Sequence, residues 1–125
     1  MKPSDRDPIL YLEDMATAIE RVQEYIQGLN FQQFKRDYKT VDAVVRNFEV
    51  IGEASKNVSR EIKENYSNIP WEEMYRLRNR ISHEYFGIDY EILWDIATKH
   101  LANNYLDLQI VIEDLGKNKP QNLNC

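Results

Sequence analysis

Apolar residues recur along this chain at alternating steps of three and four, the period of one face of an α-helix. The first such stripe follows Asp7-Pro8, which combines an N-cap side chain with proline at the first helical position. Its members are Leu12, Met15, Ile19, Val22, Ile26 and Leu29. The pattern predicts a helix that begins near Pro8 and ends around Gly28 to Asn30.

A second stripe with the same period begins after Thr40, whose hydroxyl can cap a helix. Its members are Val41, Val44, Phe48, Ile51, Ser55, Val58 and Ile62. Gly52 and Ala54 lie beside this stripe, and their small size would let another backbone come close. The polar connector before Thr40 carries three aromatic residues that we expect to anchor it: Phe31, Phe34 and Tyr38.

Two further helices are predicted in the second half of the chain. Pro70 opens the third, with Glu72 and Glu73 in its first turn, where the helix dipole favours negative charge. Its apolar side consists of Trp71, Met74, Leu77 and Ile81, and its expected stop is Gly87. Asp89 can cap the fourth helix. The face of that helix consists of Trp94, Ala97, Leu101, Tyr105, Leu108, Ile112 and Leu115.

These stripes, together with the absence of strand alternation and hairpin signals, predict an all-α protein. The expected architecture is an antiparallel bundle of four to five helices in one domain, residues 1–116, followed by a polar tail, residues 117–125. Apolar stripes whose period is this close to that of a coiled coil favour packing of helices with their axes nearly parallel or antiparallel. An apolar face left over after the core is filled would favour pairing of two chains, so we expect a homodimer.

The composition is that of a soluble globular chain, with 125 residues, 30% charged and 42% hydrophobic. Four glycines and four prolines indicate few turns and long regular elements. The net charge of −5 disfavours a large nonspecific nucleic-acid surface, because that binding mode needs clustered lysine and arginine. Any contact with RNA is therefore expected to be local, or to be built by more than one subunit.

Cofactors, disulfides and membrane segments are not expected. The single cysteine is Cys125, and the two histidines, His83 and His100, lie seventeen residues apart, so zinc-site spacings are absent. No stretch has the apolar length that crosses a bilayer, and the first residues lack the apolar core of a secretion signal. We therefore expect a cytoplasmic protein without a membrane partner.

The segment with the richest chemistry is Arg78-Asn79-Arg80-Ile81-Ser82-His83-Glu84-Tyr85. The guanidinium of arginine is a planar, permanently charged fork that suits phosphate oxygens, and histidine exchanges protons near neutrality. The pair of Arg78 and His83 therefore suggests a site that acts on a phosphodiester. On an ideal helix Arg78 and His83 are separated by about 140°, whereas Asn79 and His83 share a face. Arg78 can still reach the surroundings of the imidazole by its long side chain or through loosening of the helix near Gly87, or a second protomer can bring its own copy alongside.

The same residues also allow an interpretation without chemistry. Arg78 and Arg80 can be solvated helix charges, His83 a capping or core histidine, and Tyr85 a packing residue. An arginine and a histidine five residues apart do not decide between the two interpretations.

A family resemblance bears on that choice. Ile69-Pro70-Trp71 followed by Leu77 to Gly87 resembles the signature of the HepT-like branch of the HEPN superfamily: arginine, four residues, histidine, one residue, tyrosine. Two further stretches, Asp42 to Arg46 and Val50 to Lys56, are also similar to that branch. The resemblance runs from about Pro8 to Leu115.

The resemblance implies a dimeric helical bundle with metal-independent endoribonuclease activity, acting as the toxin of a toxin–antitoxin pair. Arg78 and His83 would be the catalytic pair, Asn79 a site-shaping neighbour and RNA the substrate. The implied partner is a minimal, MntA-like nucleotidyltransferase antitoxin that transfers AMP to Tyr85. Two alternatives stay open: a noncatalytic binding subunit of such a nucleotidyltransferase, and a dimeric helical scaffold that has lost its activity.

Overall fold

The computed structural model describes residues 6–83 and 89–117, without the side chain of His83. Seven helices lie in this part of the chain: α1 (Pro8–Ile26), α2 (Phe31–Arg36), α3 (Tyr38–Asn57), α4 (Arg60–Asn65), α5 (Trp71–His83), α6 (Tyr90–Lys99) and α7 (Leu101–Lys117). No strand occurs among the described residues. The prediction of an all-α fold is confirmed.

Helix α3 is the central element of the bundle. It packs against α1 on one side and against α5 on the other, and α1 packs in turn against α7. Helix α6 contacts α1, α2 and α7. The core is made by the predicted stripes of α1 and α3, whose buried members include Leu12, Met15, Ile19, Val22, Val41, Val44, Phe48 and Ile51.

Two of the four predicted helices are interrupted in the structure. The second ends at Asn57, and a new helix begins after Ser59, whose hydroxyl accepts a hydrogen bond from the Ile62 N–H at 3.3 Å. The fourth is divided at His100, the C-cap of α6. The apolar period continues across both breaks, so the stripe alone does not show them. The predicted boundary of the domain at residue 116 stays a prediction, because residues 118–125 lie outside the described part.

The start of α3 differs from the prediction. Asp37, not Thr40, caps this helix: its carboxylate accepts the Thr40 N–H at 3.2 Å and the Thr40 hydroxyl at 2.7 Å. These hydrogen bonds lower the pKa of the Asp37 carboxyl. Tyr38 does not anchor the connector, because it is 69% exposed. Phe31 and Phe34 do anchor it, since both rings pack on Trp94 of α6.

Two tyrosines join α7 to the rest of the bundle. The Tyr105 hydroxyl donates to Glu20 of α1 at 2.6 Å, and the Tyr66 hydroxyl donates to Asp114 at 3.2 Å. The hydrogen bond to Glu20 raises the pKa of Tyr105, and burial raises that of Tyr66. Within the described part of the chain, no helix is both long and apolar enough to cross a bilayer.

The contact between α3 and α5 is unusually close at Gly52. A Cβ atom added there would lie 2.2 Å from Arg78 Cβ and 2.7 Å from the Met74 carbonyl oxygen. One turn further along α3, the buried Ser55 hydroxyl donates to the Trp71 carbonyl at 2.8 Å. As the residue number increases along α3, the residue number of the contact on α5 decreases, so the two helices are antiparallel. The prediction that Gly52 admits a second backbone is confirmed.

The substitution Gly52→Ala should therefore destabilise the protein, although alanine is the better helix former. Overpacking at a helix contact costs about 1–3 kcal/mol, which outweighs the roughly 1 kcal/mol that alanine gains over glycine in a helix. Urea unfolding followed by circular dichroism measures the change. Gly116→Ala in α7 is the matched control, because no neighbour from the described part of the chain lies within 4 Å of an added Cβ there. Equal stability of the two variants would contradict the account of this contact.

Candidate functional site

Arg78 lies on α5, opposite Gly52, with 32% of its side chain exposed. Its Nη2 lies 3.3 Å from Glu53 Oε1 on α3, and its Nη1 donates to Asn79 Oδ1 at 3.2 Å. The base of the side chain faces α3 closely, since Arg78 Cβ and Cγ are the atoms that an added Gly52 Cβ would meet. The guanidinium is thus oriented by a carboxylate, an amide and the adjoining helix.

The ion pair with Glu53 orients the guanidinium more than it stabilises the fold. The Glu53 side chain is 50% exposed, and pairs of this kind contribute little to folding because solvent screens them. A guanidinium has five N–H donors in a fixed fork. Contacts to Glu53 and Asn79 occupy only part of this set, so Arg78 can still donate to a phosphate oxygen.

Arg78 and Glu53 border a polar cavity of about 300 Å³ between the start of α1, α3 and α5. Its lining residues are Arg6, Tyr11, Asp14, Arg46, Glu49, Val50, Glu53, Ala54, Asn57 and Arg78. On the α1 side, Arg6 Nη1 lies 2.8 Å from Asp14 Oδ2, and the Arg6 guanidinium stacks 4.7 Å from the centre of the Tyr11 ring. The cavity therefore has charged groups of both signs on its walls.

The structure brings two of the four predicted site residues together, Arg78 and Asn79. The third, His83, is the last residue of α5, and its side chain lies outside the described part; Tyr85 lies outside it altogether. Helix α5 is continuous from Trp71 to His83, so the expected separation of about 140° around the helix between Arg78 and His83 is kept. The roles of all four residues stay predictions.

The signature motif accounts for only part of this site. It located Arg78 and Asn79 on α5, whereas the side of the cavity formed by α3 lies outside the motif. The polar residues of that side are Arg46, Glu49, Glu53 and Asn57, which recur at steps of three and four. This polar stripe has the period of the apolar stripe of the same helix. Such a stripe ordinarily marks a solvated face, so its period alone does not indicate a site.

A second cavity of about 300 Å³ has a different character. It lies between α3, α5 and the junction of α6 with α7, and its walls are mainly apolar. His100 lies at its edge and is exposed, as expected for a surface histidine. Among the described residues there is no group of three or more histidine, cysteine, aspartate or glutamate side chains placed to hold a metal ion.

Several known proteins similar to this chain are named as ribonucleases. The family model described as Ribonuclease HepT-like matches residues 15–115. A "Probable ribonuclease HepT" of Thermococcus cleftensis is 47% identical over 103 residues, which cover 82% of this chain and 91% of that protein. The "Putative RNase MJ0127" of Methanocaldococcus jannaschii is 36% identical over 110 residues, or 88% of this chain and 91% of that protein. No solved structure matches the chain significantly.

The match covers most of the chain and includes α3, α5 and the motif that begins at Arg78. The resemblance inferred from the sequence and the assignment to the endoribonucleases are confirmed at the level of the family. The chain belongs to the ribonuclease HepT-like family of the HEPN superfamily.

Proposed function

We propose that this protein cleaves RNA without a metal ion, using Arg78 and His83 as its catalytic residues. The observation that carries the proposal is the placement of Arg78. Its guanidinium is oriented at the wall of a polar cavity, on the helix that ends at His83, in a chain of a ribonuclease family.

Cleavage by the 2′-hydroxyl of the substrate needs three groups. A proton acceptor takes the proton of the attacking 2′-hydroxyl, a proton donor serves the departing 5′-oxygen, and positive charge stabilises the phosphorane as negative charge gathers on it. An imidazole at His83 suits the proton transfers, and the guanidinium of Arg78 suits the charge. The nucleophile belongs to the RNA, so no metal is needed to activate water, and DNA is not a substrate.

A homodimer would solve the geometric problem of α5. Positions 78 and 83 are about 140° apart around a straight helix, so they do not share a face of α5. Two chains related by a twofold axis would place two arginines and two histidines along one cleft. Asn79 would shape that cleft, since it already contacts the guanidinium of Arg78.

We also propose that the protein is the toxin of a toxin–antitoxin pair, inactivated by a minimal nucleotidyltransferase. The site of modification is Tyr85, two residues after His83. AMP on that tyrosine adds a phosphodiester anion and a nucleoside beside the catalytic groups. The anion would compete for Arg78 and the nucleoside would fill the path of the RNA, so the modification acts through both charge and bulk.

Cleavage of a mixed-sequence RNA by the purified protein in EDTA tests the enzymatic proposal. Arg78→Ala and His83→Ala should each lower kcat/KM by about 100-fold or more, because each removes a group that acts in the transition state. Arg60→Ala is the control, since Arg60 is exposed on α4 and pairs with the exposed Glu64. A DNA of the same sequence should stay intact. Unchanged cleavage by folded Arg78→Ala and His83→Ala would remove both residues from the mechanism.

Coexpression with a minimal, MntA-like nucleotidyltransferase tests the regulatory proposal. Intact-protein mass spectrometry should show one or more additions of AMP mass on the wild type and none on Tyr85→Phe. Tyr75→Phe is the matched control, because Tyr75 is a half-buried tyrosine of the same helix as Arg78, held under the Lys56 ammonium. An addition that persists in Tyr85→Phe would show that the modified residue is a different one.

A further inference from the structure

The charged groups around the polar cavity are not all paired. Arg6 lies 2.8 Å from Asp14, and Arg78 lies 3.3 Å from Glu53. Two groups of opposite charge remain on α3, the Arg46 guanidinium and the Glu49 carboxylate, and neither forms an ion pair within residues 6–83 and 89–117. Counting contacts among the described residues alone, the cavity thus offers one free cation and one free hydrogen-bond acceptor in addition to Arg78.

We propose that this cavity is a subsite for the RNA nucleotide next to the scissile phosphate. In this subsite Arg46 binds the phosphate of that nucleotide, and Glu49 accepts hydrogen bonds from the exocyclic amino group of its base. The inference rests on the proposed function, because it takes RNA as the substrate and Arg78 as the group that contacts the scissile phosphate.

The spacing along α3 suits this arrangement. Arg46 and Glu49 are three residues apart, so they lie on neighbouring positions of one face, about 4.5 Å apart along the helix axis. Glu53, which holds Arg78, lies one turn beyond Glu49 on the same face. From Arg46 to Glu53 the axis rises by about 10 Å, so a strand whose scissile phosphate contacts Arg78 also passes the cavity.

The size of the cavity limits the ligand to a single nucleotide. A volume of about 300 Å³ is at the lower end for small-molecule sites. It admits one unstacked base, which agrees with the general preference of RNA-recognising proteins for single-stranded segments. The net charge of −5 also favours a contact made by a few groups over an extended basic surface.

The chemistry of Glu49 predicts which bases are preferred. An ionised carboxylate only accepts hydrogen bonds, so it favours base edges that present amino groups. Adenine, cytosine and guanine have an exocyclic amino group, and uracil has none. A nucleotide with an amino group should therefore be preferred over uridine at this position.

The experiment has a binding arm and a cleavage arm. Cleavage sites are first mapped on RNA, and short oligonucleotides are then made with 2′-deoxyribose at the scissile position, so that they bind without being cut. Four oligonucleotides are identical except for one base. This base belongs to the nucleotide next to the scissile position, on the 5′ or 3′ side where the mapped cleavage sites show a base preference. Fluorescence anisotropy measures their affinity for the wild type, Arg46→Ala and Glu49→Gln. Arg60→Ala and Glu61→Gln, at two exposed positions of α4, are the charge-matched controls.

Arg46→Ala should weaken binding of all four oligonucleotides by about tenfold. A plot of the logarithm of its affinity against the logarithm of the salt concentration should have a slope that is smaller by about one, because about one counterion fewer is released on binding. Glu49→Gln should instead abolish a preference of about tenfold for amino-bearing bases over uracil. The same loss of preference should appear in kcat/KM for cleavable RNA. Neither control variant should change affinity or preference.

Wild-type affinity and base preference in both Arg46→Ala and Glu49→Gln would overturn the subsite. That result is distinct from failure of the proposed function, which would appear as unchanged cleavage by Arg78→Ala and His83→Ala. If Glu49→Gln loses the base preference while Arg78→Ala and His83→Ala cleave like the wild type, the subsite stands and the catalytic proposal is lost.

Discussion

The close contact of α5 with Gly52 of α3 determines where the candidate catalytic arginine lies. Any side chain at position 52 would collide with Arg78 Cβ and with the Met74 carbonyl oxygen. Because glycine lets the two backbones approach, the guanidinium of Arg78 comes within reach of Glu53, the next residue along α3. The Ser55 hydrogen bond to the Trp71 carbonyl fixes the same contact one turn away. The packing of α3 against α5 thus positions the guanidinium of Arg78.

Helix α3 therefore has two functions on two of its sides. Its apolar stripe, which includes Val44, Phe48 and Ile51, is buried in the core of the bundle. Its polar stripe lines the cavity beside Arg78 and supplies Arg46, Glu49, Glu53 and Asn57. Because both stripes belong to one rigid element, a change that shifts α3 in the core also shifts the groups that we propose to bind RNA.

Periodicity predicted the fold well and its interruptions poorly. The stripes of α1 and α3 are buried as expected, because repeated burial on one face produces a regular pattern in the sequence. The breaks at Ser59 and His100 were missed because the apolar period runs through them. Asp37 was overlooked as a cap because both Asp37 and Thr40 have side chains that can cap a helix, and only the local backbone geometry shows which of them does so.

For the site, the motif located Arg78 and its neighbour Asn79, whereas the cavity arises only when α1, α3 and α5 come together.

We propose that two copies of this chain build one cleft from Arg78 and His83, since positions 78 and 83 do not share a face of a continuous α5. Mixed dimers provide the test. Arg78→Ala and His83→Ala proteins, differently tagged, are coexpressed and the mixed dimers purified. The mixed dimer holds one intact arginine and one intact histidine, so the account predicts RNA cleavage well above that of either variant alone. A mixed dimer as inactive as its parents, or a protein that stays monomeric while cleaving RNA, would contradict it.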